Sequence, residues 1–223
     1  MAHTTSAFPK GNLFYRLVLA SARGFFKLFY RHTVYGLEHF ELGGAIIAAN
    51  HASFFDPPIA AISSPEEVHF LARESLFKVP LFGAIIRALN SHPVRGDAGD
   101  IAVFKLLTTL LKEGKKVILF PEGTRESSDA LEEIKPGLAL LISRAGAFVQ
   151  PLYIHGTFYI WNRFRKFPKL WGKTASVFGS PIRYETFSHL EKRAAQEALS
   201  QAVALALNNL RKWYEAGAQG TPP

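Results

Sequence analysis

No cysteine occurs in this 223-residue chain, so disulfides and a thiol nucleophile are both excluded. Its absence suits a reducing compartment without requiring one. Long apolar runs are missing as well. The longest stretch free of Lys, Arg, Asp and Glu, residues 145–162, is interrupted by Gln150, Pro151, His155 and Gly156. A membrane-spanning helix needs about 20 consecutive apolar residues. The stretch therefore reads as a strand and a loop, and no spanning helix is expected. Nor is a secretory leader, because Arg16 and Arg23 bracket an apolar run of only six residues.

Other chemistries are excluded by missing patterns. No Gly-x-Ser-x-Gly elbow supplies a serine nucleophile. His69, His92 and His155 lack metal spacing such as His-Glu-x-x-His, so no metal is expected. Gly172-Lys173-Thr174 imitates the end of a phosphate-binding loop, but Phe167 stands where its first glycine belongs. Internal repeats, low-complexity linkers and nucleic-acid-binding signatures are also missing. The net charge of +8 is therefore read as attraction to anionic lipid, phosphate or an acidic carrier, and nucleic acid is not an expected partner.

What is present fits one α/β domain that buries a sizeable core. Strands are predicted over 34–40, 45–50, 68–73, 91–95, 115–120, 148–155 and 174–178. Between them, helical spacing runs from Asp56 through Ile59 and Ile62, and over 79–89, 101–111 and 137–144. A last helix starts at Ser188, with Glu191 completing a capping box. Its stripe of Leu199, Val203, Leu207 and Leu210 reads as core packing. This alternation predicts a single domain with a mostly parallel central sheet flanked by helices. Motifs at strand ends then gather along one edge of the sheet. The expected divisions are a helical segment, 1–33, the main domain, 34–214, and a flexible tail, 215–223.

The first helix carries Arg16, Arg23, Lys27 and Arg31 within a sector of roughly 80° at about 100° per residue. Phe14, Leu17, Phe25 and Phe29 lie among the apolar residues around the rest, and no acidic residue falls between Lys10 and Glu38. A narrow basic stripe beside a wide aromatic face describes a helix lying in a membrane interface. The alternative is a helix packed on the core with its arginines in solvent. Gly24 is a potential break into two helices. A second basic run, Arg163, Arg165, Lys166, Lys169 and Lys173, is interleaved with Phe164, Phe167 and Trp171. It reads either as a solvated loop or as a contact with a membrane edge or a donor carrier.

The 45–49 strand delivers His51 to its end, and Asp56 follows just before Pro57 and Pro58. A residue before proline avoids the helical region, and proline suits the first helical turn, so Asp56 is expected as the N-cap. An offset of five puts the two side chains on different faces of a helix. They meet only if the segment turns. In the plain reading Asp56 is a cap and His51 an ordinary strand-end histidine. In the chemical one the carboxylate holds one ring nitrogen so that the other takes a proton. A second buried strand decides between them, ending in Phe120-Pro121-Glu122-Gly123-Thr124-Arg125.

Asn50-His51-x4-Asp56 followed by Phe-Pro-Glu-Gly-Thr-Arg resembles the glycerolipid acyltransferases, and most of all the bacterial 1-acyl-glycerol-3-phosphate (lysophosphatidic acid) acyltransferases. The resemblance spans most of the chain. It implies His51 as base and Asp56 as its orienter, with direct attack by a substrate hydroxyl and no covalent enzyme intermediate. Substrate contacts are implied for Arg125, for Arg95 as a phosphate grip, and for Glu122, Gly123 and Thr124. Lys135, with Gly137, resembles a further family pattern, and Arg73 stands where relatives often carry lysine. No cofactor is implied beyond an acyl-coenzyme A (acyl-CoA) or acyl-carrier-protein (acyl-ACP) thioester as co-substrate.

The implied enzyme is monotopic, on the anionic cytoplasmic face of a membrane. It esterifies the sn-2 hydroxyl of lysophosphatidic acid to give phosphatidic acid in phospholipid biosynthesis. Rival readings are glycerol-3-phosphate or another lysophospholipid as acceptor, a thioester hydrolase, and a non-catalytic lipid-binding module.

Overall fold

Eight strands form one mixed sheet in the computed structural model, which describes residues 13–95, 101–121 and 137–223. The strands are β1 (Thr33–Tyr35), β2 (Ala45–Ala49), β3 (Val68–Arg73), β4 (Ser91–Val94), β5 (Lys116–Leu119), β6 (Phe148–His155), β7 (Ala175–Phe178) and β8 (Ile182–Arg183). The helices are α1 (Leu13–Tyr30), α2 (Asp56–Ser63), α3 (Phe82–Ala88), α4 (Ile101–Lys112), α5 (Gly137–Ala145), α6 (Thr157–Trp161) and α7 (Lys192–Glu215). The strand order is β1-β7-β6-β2-β5-β3-β4, with β8 pairing β6 off this path. The run β6-β2-β5-β3-β4 is parallel throughout, while β7 and β8 both pair β6 antiparallel. The expected mostly parallel sheet flanked by helices is what forms.

Alternation along the central strands sorts the core into two layers. Ile47 and Ala49 of β2 face α1 and α2 together with Ile118, Leu152 and Ile154. Ile46 and Ala48 face α4, α5 and α7 with Val117 and Val149. All five β2 residues are buried, as a parallel strand covered on both sides requires. In α7 the stripe Leu199, Val203, Leu207 and Leu210 is buried as expected.

Helix α1 is continuous through Gly24 and docks on α2. It buries Tyr15, Leu19, Phe26 and Tyr30, and Phe26 meets Phe55 edge-on at 5.1 Å between centroids. Arg23 turns inward rather than joining a solvent-facing basic stripe. Its Nε donates to the Ile62 carbonyl at 2.8 Å and Nη2 to that of Ser64 at 3.2 Å, satisfying acceptors at the end of α2. Burial lowers the Arg23 pKa from its ordinary value. Opposite the docked face, Leu13, Phe14, Leu17, Phe25 and Leu28 are exposed, with Arg16 and Lys27 beside them. Among the described residues, no helix is long and apolar enough to cross a membrane.

Several local expectations give way for identifiable reasons. The first strand stops at Tyr35 because Gly36 turns at φ 74°, and a Cβ there would lie 2.0 Å from the Phe178 carbonyl oxygen. The 79–89 helix begins only at Phe82, since Pro80 holds Val79 extended and Leu81 takes φ 62°. Ser188 does not cap α7. Its hydroxyl donates to the Glu185 carbonyl at 2.8 Å, closing a short 3₁₀ turn, and the helix starts four residues later. After β6 the expected loop contains α6, entered through Gly156 at φ 85°, where a Cβ would lie 2.1 Å from the Lys173 carbonyl oxygen. The 215–223 segment, expected as a flexible tail, is tied back. Pro222 is buried and its carbonyl accepts from His39 Nε2 at 2.9 Å, and Trp213 Nε1 donates to the Gln219 carbonyl at 3.0 Å.

Candidate active site

The parallel strands end along one edge of the sheet, and most of the candidate residues follow from that. β2 leads into Asn50 and His51, β5 into Phe120 and Pro121, β3 finishes at Arg73, and β4 leads into Arg95. Asn50 fixes the end of β2 against β6. Its amide donates to the Ile154 carbonyl at 3.0 Å and its Oδ1 accepts from the Ile154 N–H at 2.7 Å. This pair of hydrogen bonds to a neighbouring backbone continues the sheet pairing one residue beyond the strand.

His51 and Asp56 meet because the chain turns between them. Asp56 Oδ2 lies 2.9 Å from His51 Nδ1 and also accepts from the Ala52 N–H at 2.7 Å and the Ser53 N–H at 2.6 Å. Asp56 is fully buried, whereas the His51 side chain keeps 16% of its surface exposed. The carboxylate is not the expected N-cap. Asp56 is the first residue of α2 and Phe55 occupies the cap position. Pro57 and Pro58 offer no N–H to a capping side chain, and the Ile59 N–H already bonds the Phe55 carbonyl at 3.0 Å. The side chain is thereby directed back into the turn, where three donors converge on one oxygen. Asp56 Oδ1 is buried and has no hydrogen-bond partner among the described residues.

With a carboxylate oxygen as its neighbour, Nδ1 carries the ring proton and Nε2 presents the basic lone pair. The ring's plane is fixed as well. Phe120 stacks on it at 4.1 Å between centroids and an interplanar angle of 22°. The arrangement can take a proton at Nε2 and hold the resulting cation beside a buried carboxylate.

The turn is braced from a further element. Ser53 Oγ donates to the Trp161 carbonyl at 2.8 Å, the Phe54 N–H donates to the same oxygen at 3.1 Å, and Phe54 and Phe55 both pack on the Trp161 ring. Asn50, Phe120 and Trp161 are the contributors that the sequence reading left without roles. The first two stand inside the motifs themselves, and only Trp161 had no local signal.

The candidate substrate contacts are spread along the same edge. Arg73 is exposed at the end of β3, in register with Val94 of β4. Arg95 pairs with Glu74 at 3.5 Å, and its side chain is 81% exposed. An open cleft of about 420 Å³ is lined by Glu74, Pro93, Arg95 and Ala102. A solvated pair of this kind is worth little, so Arg95 can exchange Glu74 for another anion at small cost. Glu122, Gly123, Thr124, Arg125 and Lys135 lie outside the described residues. Of the candidate membrane contacts, Phe14, Arg16, Leu17, Phe25 and Lys27 are exposed, Arg23 caps α2, and Phe29 stacks on Trp171 at 5.0 Å.

Comparison with known proteins bears on this constellation. A family model described as Acyltransferase matches residues 31–155, more than half of the chain. The 1-acyl-sn-glycerol-3-phosphate acyltransferase of Bacillus subtilis is 27% identical over 161 residues, covering 72% of this chain and 77% of that protein. The lyso-ornithine lipid O-acyltransferase of Pseudomonas aeruginosa is 29% identical over 107 residues, 48% of this chain, which spans only 41% of that relative. The crystal structure of the 1-acyl-sn-glycerophosphate (LPA) acyltransferase from Thermotoga maritima superposes with a TM-score of 0.70 at 26% identity, covering 88% of this chain and 81% of that one.

Proposed function

Because this chain belongs to the acyltransferase family, we propose that it transfers a fatty acyl group from an acyl-CoA or acyl-ACP thioester to the sn-2 hydroxyl of lysophosphatidic acid. The product is phosphatidic acid. The observation that carries the reaction type is the His51–Asp56 pair, a base with its orienter at the end of a buried parallel strand. The acceptor assignment draws on relatives named for 1-acyl-sn-glycerol-3-phosphate and for 1-acyl-sn-glycerophosphate (LPA).

In this reading His51 Nε2 removes the proton of the acceptor hydroxyl as its oxygen attacks the thioester carbonyl. The imidazolium formed lies beside Asp56, which already holds the ring through Nδ1. Collapse of the tetrahedral adduct breaks the C–S bond, and the imidazolium returns its proton to the departing thiolate. A positioned base of this kind contributes roughly 10²–10⁴-fold. The acceptor's phosphate is gripped by guanidinium groups, which bond phosphate oxygens in pairs. Arg73, Arg95 and Arg125 are the candidates, with Glu122, Gly123, Thr124 and Lys135 completing the acceptor contacts. At about 4.8 Å per strand, the β3 and β4 ends lie about 10 and 14 Å from β2, distances that favour long side chains and an extended acceptor.

The exposed apolar side of α1 suits a peripheral enzyme resting on an anionic cytoplasmic membrane face, with residues 1–33 as the anchoring segment and 34–214 as the acyltransferase domain. A second reading keeps the chemistry and changes the acceptor, favoured by the relative that acylates a lyso-ornithine lipid. Purified protein offered lysophosphatidate and lyso-ornithine lipid in parallel, with one labelled thioester, separates the two. Preference for lysophosphatidate is expected, and preference for the amino-acid lipid would replace the acceptor.

A further inference from the structure

The loop after α6, residues 162–173, presents a surface that the proposed chemistry does not use. Phe164, Phe167, Leu170 and Trp171 are between 64% and 72% exposed. Large apolar side chains clustered in this way on a soluble surface mark a contact with something apolar. Among them stand Arg163, Arg165, Lys166, Lys169 and Lys173, and no acidic residue occurs from Ile134 to Tyr184. Lys166 lies 5.5 Å from the centre of the Phe167 ring.

The loop's backbone is secured while its apolar side chains point outward. The Lys169 N–H donates to the Ile160 carbonyl at 3.1 Å, Tyr30 Oη donates to the Lys169 carbonyl at 2.9 Å, and the Gly172 N–H donates to the Phe29 carbonyl at 3.2 Å. A Cβ at Gly172 would lie 2.7 Å from Ile160 Cδ1, so the loop's return is tightly seated. Collapse onto the protein would hide these rings. The backbone bonds hold them out instead.

We propose that residues 163–171 form a second membrane-inserting element, whose aromatic residues enter the headgroup region of an anionic bilayer while the flanking Lys and Arg meet its phosphates. A bilayer is favoured over an acidic protein because four large apolar side chains, each at least 64% exposed, stand among the basic ones, and a purely electrostatic contact has no use for them. The element joins α1 in one footprint, since Trp171 stacks on Phe29 at the end of that helix. It is also wired to the site. The same Trp161 that leads into the loop accepts the hydrogen bonds from Ser53 and Phe54 in the His51–Asp56 turn. The loop therefore sets the depth and tilt at which the turn meets lipid. The inference does not rest on the identity of the acceptor.

The test uses the full chain with phosphatidylcholine vesicles, with and without phosphatidylglycerol. Phe164→Ser/Phe167→Ser/Leu170→Ser and, separately, Arg165→Glu/Lys166→Glu are expected to weaken partition onto the anionic vesicles about tenfold or more. Lipids brominated on their acyl chains are expected to quench wild-type tryptophan emission, and to quench Trp171→Phe much less. The charge variant keeps the test open if the serine variant fails to fold. Unchanged partition by a folded variant, with no loss of quenching in Trp171→Phe, would overturn the proposal. So would loss of acyl-carrier-protein binding with vesicle binding intact. If Leu13→Ser/Leu17→Ser abolishes vesicle binding while both loop variants bind normally, the loop assignment fails and α1 alone remains the anchor.

Discussion

Replacing Asp56 with asparagine tests the carboxylate's charge and little else. The amide is isosteric. If its nitrogen took the place of Oδ2, it would set a donor against His51 Nδ1–H and the N–H groups of Ala52 and Ser53, so the amide oxygen stays there. The tautomer of His51 is then retained while the negative charge facing the imidazolium disappears. Transfer should slow by about 10²–10⁴-fold, which is about 3–5 kcal/mol of transition-state stabilisation. Stability falls too. Two charge-assisted backbone bonds become neutral ones, at about 1 kcal/mol each, and the new NH₂ occupies the buried Oδ1 position, which has no partner among the described residues, costing about 1–3 kcal/mol. The sum, about 3–5 kcal/mol, lies below the usual stability of a domain of this size, so the variant should fold with its midpoint lowered by about 10 °C. The assay is thiol release from a long-chain acyl-CoA with saturating lysophosphatidate, run well below that midpoint. A folded variant with kcat within about threefold of wild type would refute the orienter role.

Two further outcomes follow from the packing. Arg23→Met keeps the apolar stem but loses two bonds to the end of α2, so it should lower stability by about 1–3 kcal/mol in urea unfolding. If α1 were not docked through this residue, stability would not change. Burial pushes the His32 and His69 imidazoles down to about 4, with the nearby His92 and Lys115 adding to the effect at His69. Between pH 6.5 and 4 the unfolded chain binds more protons at these sites than the folded one. Their contribution is therefore complete above about pH 6.5 and is lost as pH falls. Unfolding at pH 7 and pH 5, where exposed carboxylates remain ionised, should show a loss on the order of 2 kcal/mol that shrinks in His32→Gln. A flat profile would contradict the buried neutral histidines.

The order of strands and helices was legible because apolar runs and helical spacing alternate cleanly between residues 45 and 178. Strand direction at the far side was not. β7 returns antiparallel to β6, and the two-residue β8 is too short to show any periodicity. At the site, the approach of His51 to Asp56 was anticipated, but the manner was not. Asp before two prolines looks like a cap, although prolines in the first turn have no N–H to be capped, and that signal was available in the sequence. Phe120 and Asn50 stood inside motifs read for their charged members, and the stacking and sheet-closing they perform are visible only when strands are set side by side. Arg23 was grouped with its basic neighbours because helical angle alone does not reveal that α2 ends beneath it.

The central claim is acyl transfer to lysophosphatidate with His51 as base. Its most direct test incubates purified protein with lysophosphatidate and labelled palmitoyl thioesters of coenzyme A and of acyl carrier protein, beside His51→Ala. Labelled phosphatidate from wild type and at least a hundredfold less from the folded variant, on the order expected for a lost base, is the predicted result. Phosphatidate formed equally well by both proteins would contradict the assignment of His51. If wild type makes no phosphatidate from either donor, the acceptor is contradicted.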